Sequence, residues 1–286
     1  MLAAEPPRLL EAHEWRTLEQ AHEDRADAFS RGRRERAGAG QSHPVDDFLF
    51  TYYPFRPGLL RRWHPGAGVT LLGAGSEPRA SWKWYRTTGL NSQVDATAFV
   101  DQNERVVRFV ASLLDATRQR PAHFGCFGLH EWAMVYRQEE HRHVAPLRLG
   151  QNDTDAVVDG NRIGCSHFDA FRFFTPKALS LNELQPSREN QPTMEQPGCL
   201  HAGMDIYKWV IKLGPLMPGE ILLDAFELAR DIRRLDMEAS PYDLSEWGYA
   251  PVAIETAAGK DEYVRRQKFF TERSNVLRGR VVELVA

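Results

Sequence analysis

Three segments of this chain repeat apolar side chains every three or four positions, a period that commits them to helices packed on one another. From Val94 to Thr117, the residues Val106, Val107, Val110, Leu113 and Leu114 fall on one stripe, while Arg105, Arg108 and Asp115 fall outside it. From Pro218 to Asp236, Leu222, Ala225, Ala229, Ile232 and Leu235 do the same, and Pro218 suits a helix start. A third amphipathic run extends from Asp261 to Leu277. A more polar one covers 8–36, with Trp15, Leu18, His22, Ala26 and Phe29 at helical spacing and a basic end, Arg31-Gly-Arg-Arg-Glu-Arg36. Its polarity predicts loose packing.

Strand signals are few. Val69 to Leu72 and Trp82 to Thr87 flank the turn-forming stretch Gly73 to Pro78, an arrangement that predicts a hairpin. Ala122 to Tyr136 and Ile163 to Phe174 are dense in aromatics, His and Cys and suit short buried strands. Glycines and prolines make 38–66 an aromatic-rich loop, Gln151 to Asn161 a turn-rich loop, and Gln185 to Gly198 a loop before a helix at Met204 to Leu213. The expected fold is α+β, predominantly helical with a small β-sheet. An N-terminal helix and basic arm over 1–40 precede a single catalytic-type domain over 41–286.

A composition of 42% hydrophobic and 26% charged residues excludes wholesale disorder, and a net charge of -3 excludes a uniformly basic nucleic-acid binder. The cysteines Cys126, Cys165 and Cys199 form no CxxC pair, which argues against a disulfide framework or zinc ribbon and for a reducing cytoplasm. Neither a signal peptide nor a membrane span is expected.

Residues with chemical potential concentrate between His123 and Lys208. His130 and Glu131 open no HExxH zinc motif, because Met134 stands where the second histidine belongs. His141 and His143 form an HxH pair that suits either a metal site or a solvated loop. On a strand, His167 and Asp169 would share a face, giving two ligands of a facial metal triad with His201 as the third. The same carboxylate, set among Phe168, Phe171, Phe173 and Phe174, can instead be a base or an electrostatic stabiliser. It can equally belong to a buried Asp-His-Arg network that locks the core. Cys199 and His201 are too close in sequence to align as nucleophile and base. Asp205 and Lys208 have the spacing of an i,i+3 ion pair, with a Schiff-base lysine as the alternative. Asp236 falls at a helix end or at the edge of a site. Eight Lys or Arg against eleven Asp or Glu make His123 to Lys208 a pocket rather than a phosphate groove. Cationic flanks lie at Arg31 to Arg36, at Arg56, Arg61 and Arg62, and at Arg265 to Arg280, with Tyr52, Tyr53, Phe55 and Trp63 available for base stacking.

The segments HPVDDFLFTYYPFRP, LHEWAMVYR, HFDAFRFFTP, EQPGCLHAGMDIYKW and LDMEASPYDL resemble a family of actinobacterial proteins commonly labelled 3-methyladenine DNA glycosylases, over most of the chain. The resemblance implies hydrolysis of the N-glycosidic bond of a modified base flipped out of DNA. It transfers no catalytic residue by motif, since a helix-hairpin-helix Leu-Pro-Gly-Val-Gly pattern is absent. On that reading Asp169 is the first candidate for acid or base, with Glu131 and Asp205 in reserve, and His130, His167 and Arg172 orient the site. Tyr52, Tyr53, Trp132, Arg172 and Lys208 would contact the base or sugar, and Arg56, Arg61, Arg62, Arg265 and Arg266 the DNA backbone. Neither metal nor cofactor is expected, DNA is the partner, and the location is cytoplasmic, nucleoid-associated if DNA is bound. The rivals are a metal-dependent oxygenase or hydrolase using His167, Asp169 and His201, and a non-enzymatic nucleic-acid-binding protein.

Overall fold

The core is helical because the apolar stripes demand it. A computed structural model describes residues 7–53, 55–138 and 145–285. Strand β1 (Arg8–Leu10) leads into helix α1 (Ala12–Gly38), and the short helices α2 (Phe48–Tyr52) and α3 (Pro57–Leu60) follow. After β2 (Val69–Leu71), β3 (Tyr85–Thr88) and β4 (Asn91–Val94) come α4 (Ala96–Gln119), α5 (Leu129–Ala133), α6 (Gly150–Asp159), α7 (Phe168–Phe171) and α8 (Gln191–Met194). The chain closes with α9 (Leu200–Leu213), α10 (Gly219–Glu238) and α11 (Ala257–Val285). This is the expected α+β architecture, mostly helical with one small sheet.

Helices α4, α9, α10 and α11 pack together. On α4, Val107, Val110, Leu113 and Leu114 are buried, and its first turn is capped by the Asp95 carboxylate accepting from the Ala98 amide at 3.1 Å. Helix α9 approaches both α10 and α11 at Gly203, where a Cβ would lie 2.9 Å from Ile232 Cδ1 and 2.7 Å from Ser274 Oγ. No helix of the described residues is long and apolar enough to cross a membrane.

The sheet runs β1-β2-β4-β3, with β1 parallel to β2 and the other pairs antiparallel. The hairpin expected between Val69–Leu72 and Trp82–Thr87 does not form. Instead β3 turns through Gly89 and Leu90 to pair with β4, so that Thr88 faces Asn91. A two-residue turn closes more readily than the longer 73–84 connection, and Gly89 adopts the φ of +58° that such a turn favours.

Other expectations are corrected. Ala122 to Tyr136 and Ile163 to Phe174 contain no strands but the helices α5 and α7. All five residues of α5 are buried, which erases the contrast between faces on which periodicity depends. Gly128, at φ +72°, begins that turn. The 151–161 stretch is helix α6, whose buried face is only Thr154 and Val158, a stripe too narrow to stand out among polar neighbours. Within 38–66 the aromatic stretch Phe48–Tyr52 forms α2, and Pro57–Leu60 forms α3. Helix α1 is firmly docked: Trp15 is 1% exposed and its indole donates to the Leu72 carbonyl at 3.0 Å. Its buried face turns away from Leu18, which is exposed, and Arg25 pairs with Asp224 and Glu227 of α10.

Candidate active site

Helices α9 and α10 each bury an aspartate with a cation three residues away, Arg233 buried on α10 and Lys208 partly exposed on α9. On α9 the Lys208 ammonium bridges Asp205 and Asp169, the latter at 3.1 Å. Asp205 also accepts from the Tyr53 hydroxyl at 2.8 Å and lies 3.2 Å from His167 Nε2. His167 ends the extended segment before α7, with Glu195 3.5 Å from the same nitrogen. On α10 the Arg233 guanidinium donates to Asp236 at 2.8 Å and to Glu131 of α5 at 3.0 Å. His130, beside Glu131, contacts the other Asp236 oxygen at 2.9 Å. His201 stands between the two groups, its ring centroid 4.4 Å from that of His130 and 5.4 Å from that of His167.

The electrostatics follow from burial against partner charge. Burial opposes ionisation of Asp205, but Lys208 and His167 hold it below the usual carboxylate range. Asp236 is depressed in the same way by His130, His201 and Arg233. Burial works against the Lys208 and His167 cations too, yet Asp205 raises both. His201 has no carboxylate at hydrogen-bond distance, and burial, followed by His130, pushes it well down despite the opposing pull of Asp236, which favours the neutral imidazole. Burial, with the neighbouring Asp205 adding to it, raises Glu195 above the ordinary value against the pull of His167.

Glu131, Asp169, His201 and Arg233 line one cavity of about 280 Å³, with Phe48, Tyr52 and Phe173 as aromatic walls. Phe48 and Tyr52 stack at 4.9 Å, and Arg233 lies 3.9 Å over the Phe48 ring. Arg172 is at the exposed side, 3.1 Å from Asp169. Both Asp169 oxygens therefore have a cation, whereas Glu131 Oε2 has no hydrogen-bond or ion-pair partner among the described residues. Behind His201 a second cavity of about 20 Å³, room for one water, is bordered by all three cysteines. Burial raises each thiol, Cys165 to about 12, so none is poised as a nucleophile. A larger cavity of about 630 Å³, among Trp15, Trp63, Arg79 and Trp82, is distant in composition from these groups and holds neither a histidine nor a free nucleophile.

Of the residues singled out from sequence as candidates for chemistry or binding, Glu131, Asp169, His201 and Tyr52 reach the cavity together. Trp132 does not contact a substrate: it is fully buried and its indole donates to the Ala239 carbonyl at 2.9 Å. Tyr53 and Asp205 are buried behind the wall, as are His130 and His167. The triad of His167, Asp169 and His201 is not formed. Asp169 lies on the single turn of α7, and residues two apart across a helical turn point to different sides. The Asp205–Lys208 ion pair is present as expected, which leaves no free amine for a Schiff base. His141 and His143, with Glu139, Glu140 and Arg142, lie outside the described residues.

Three of the five arginines expected on DNA phosphates have partners within the fold: Arg61 with Glu23 and Asp27, Arg265 with Glu262, and Arg266 with Glu238. Arg62 stacks over Trp82 at 4.5 Å, and Arg56 is exposed. Sequence reasoning missed Arg233, Phe48 and Glu195. The available signal for Arg233 was its i,i+3 spacing to Asp236, which sets both on the side of α10 that carries Ala229 and Ile232. Comparison with known protein families, curated proteins and solved structures gives no match for this chain.

Proposed function

We propose that the chain is a DNA glycosylase that removes a modified base flipped into the cavity bounded by Phe48, Tyr52 and Phe173. The observation that carries this reading is the convergence of two carboxylates, Glu131 and Asp169, on one small aromatic-walled cavity. At about 280 Å³ it falls just below the roughly 300–1,000 Å³ of sites for drug-sized ligands, which suits a single nucleobase. Stacking on aromatic faces and hydrogen bonds from a neutral His201 are means by which a flipped base is read.

Glu131 is the better candidate for water activation, because one of its oxygens is unengaged while Arg233 fixes the other. Asp169, held by Lys208 and Arg172, supplies negative charge for the oxocarbenium-like sugar. Arg172, on the exposed side, is the cation best situated for a phosphate. A DNA partner would make the protein nucleoid-associated in the cytoplasm.

Incubation with a panel of modified DNAs, followed by alkali to cleave abasic sites, tests the reading. Glu131→Gln is expected to lose on the order of 100-fold or more in single-turnover rate, the usual scale for a positioned acid or base. Asp169→Asn is expected to lose less. Full activity of Glu131→Gln removes the assignment. Binding of modified DNA without abasic sites favours a non-enzymatic nucleic-acid-binding protein.

A further inference from the structure

We propose that His130, His201 and Asp236 bind one divalent transition-metal ion, of the zinc or ferrous-iron class, at the wall of the same cavity. Their ligand atoms all lie within 4.8 Å of one another, although they come from three separate helices, α5, α9 and α10. Two ligands held about 2.1 Å from one ion are about 3.0 Å apart at the right angle of an octahedral site and about 3.4 Å apart at the tetrahedral angle usual for zinc. His130 Nε2 and Asp236 Oδ1 are 2.9 Å apart, so along that edge an ion can replace their hydrogen bond with a shift of a few tenths of an ångström for octahedral geometry or about half an ångström for tetrahedral. The proton of that bond passes to solvent.

The surroundings are those of a metal ligand set rather than of a closed network. Arg233 anchors the Asp236 oxygen that the ion would not use, the outer contact that orients a ligating carboxylate. His201 makes no side-chain hydrogen bond among the described residues and borders the open cavity, which gives an ion a route in and leaves it a position for water or substrate. The other such group, His167, Glu195 and Asp205, also lies within 4.8 Å, but Lys208 occupies Asp205 and all three members are buried away from the cavity. A bound ion would polarise water or an anionic group next to Glu131. The site stands on its own geometry, whether or not the cavity takes a base.

The test is a titration of the purified, chelator-treated full chain with cobalt(II), followed by its visible absorption, and with zinc(II), followed by calorimetry and by the thermal midpoint. The expected result is one equivalent per chain and a higher midpoint with zinc. His201→Ala and Asp236→Asn should each weaken binding by roughly 10–100-fold or more, with His167→Gln binding as the unaltered chain does. His201 borders solvent, so His201→Gln with an unchanged circular dichroism spectrum separates loss of a ligand from loss of the fold. Absence of uptake of cobalt, zinc or ferrous iron overturns the proposal. So does tight binding by both His201 variants, or loss of binding in His167→Gln, which moves the ion to the other group.

Discussion

The groups on α9 and α10 are built from the same parts, an aspartate, a cation three residues away and an imidazole from elsewhere in the chain, and they behave oppositely. Around Asp205 the carboxylate is saturated: Tyr53 donates to one oxygen, His167 and Lys208 contact the other, and Lys208 continues to Asp169. Around Asp236 the same construction leaves Glu131 with an unengaged oxygen and His201 facing a cavity. Composition does not separate the two; access does. A buried carboxylate saturated by partners holds helices together, whereas one whose network ends at a cavity retains donors for something else.

Breaking the closed group should cost the most. Asp205→Ala strands His167 and Lys208 without their shared carboxylate, and a loss of about 3–5 kcal/mol in unfolding free energy is expected by denaturant titration. A loss under about 1 kcal/mol would mean that the network is not what secures α9.

Protonation sharpens the contrast. In metal-free protein, His167 has a raised value, so its contribution to stability is complete below about pH 6.5 and is lost as pH rises through its folded-state value. His201 has a depressed value, so its contribution is present above about pH 6.5 and is lost as pH falls toward its folded-state value. Imidazole nitrogen shifts followed by NMR should therefore show His167 charged and His201 neutral at the same pH near 6.5. Both rings titrating together would erase the distinction.

The spacing between the groups depends on Gly203. Gly203→Ala pushes a methyl group toward Ile232 and Ser274, and a cost of about 1–3 kcal/mol is expected from overpacking, measured as a lower thermal midpoint. The smallest effect is expected from Arg265→Ala, which removes an exposed pair with Glu262 and should change stability by less than about 0.5 kcal/mol. Its effect on DNA affinity should be smaller than that of Arg172→Ala in the same salt titration.

Long amphipathic segments were readable because one face of α4 is dry and the other wet. The same rule failed for α5, buried on every side, and for α6, buried on almost none. Asp169 was recognisable as an uncommon charge in aromatic surroundings, and Glu131 as a carboxylate held in reserve. Their roles were not, because the partners that distinguish them, Arg233 for one and Lys208 with Arg172 for the other, differ only in three dimensions.

By itself the sequence determined what lies within a few residues: the helical stripes, the start of α10 at Pro218 and the Asp205–Lys208 pair, all set by the fixed pitch of the α-helix. Only the tertiary structure decided that Arg233 meets Glu131, 102 positions away, that His130 meets Asp236, 106 positions away, and that His201 falls between the two groups. Contacts at that separation have no period to betray them. They arise from how α5, α7, α9 and α10 pack, and packing depends on the shapes of all the buried side chains together.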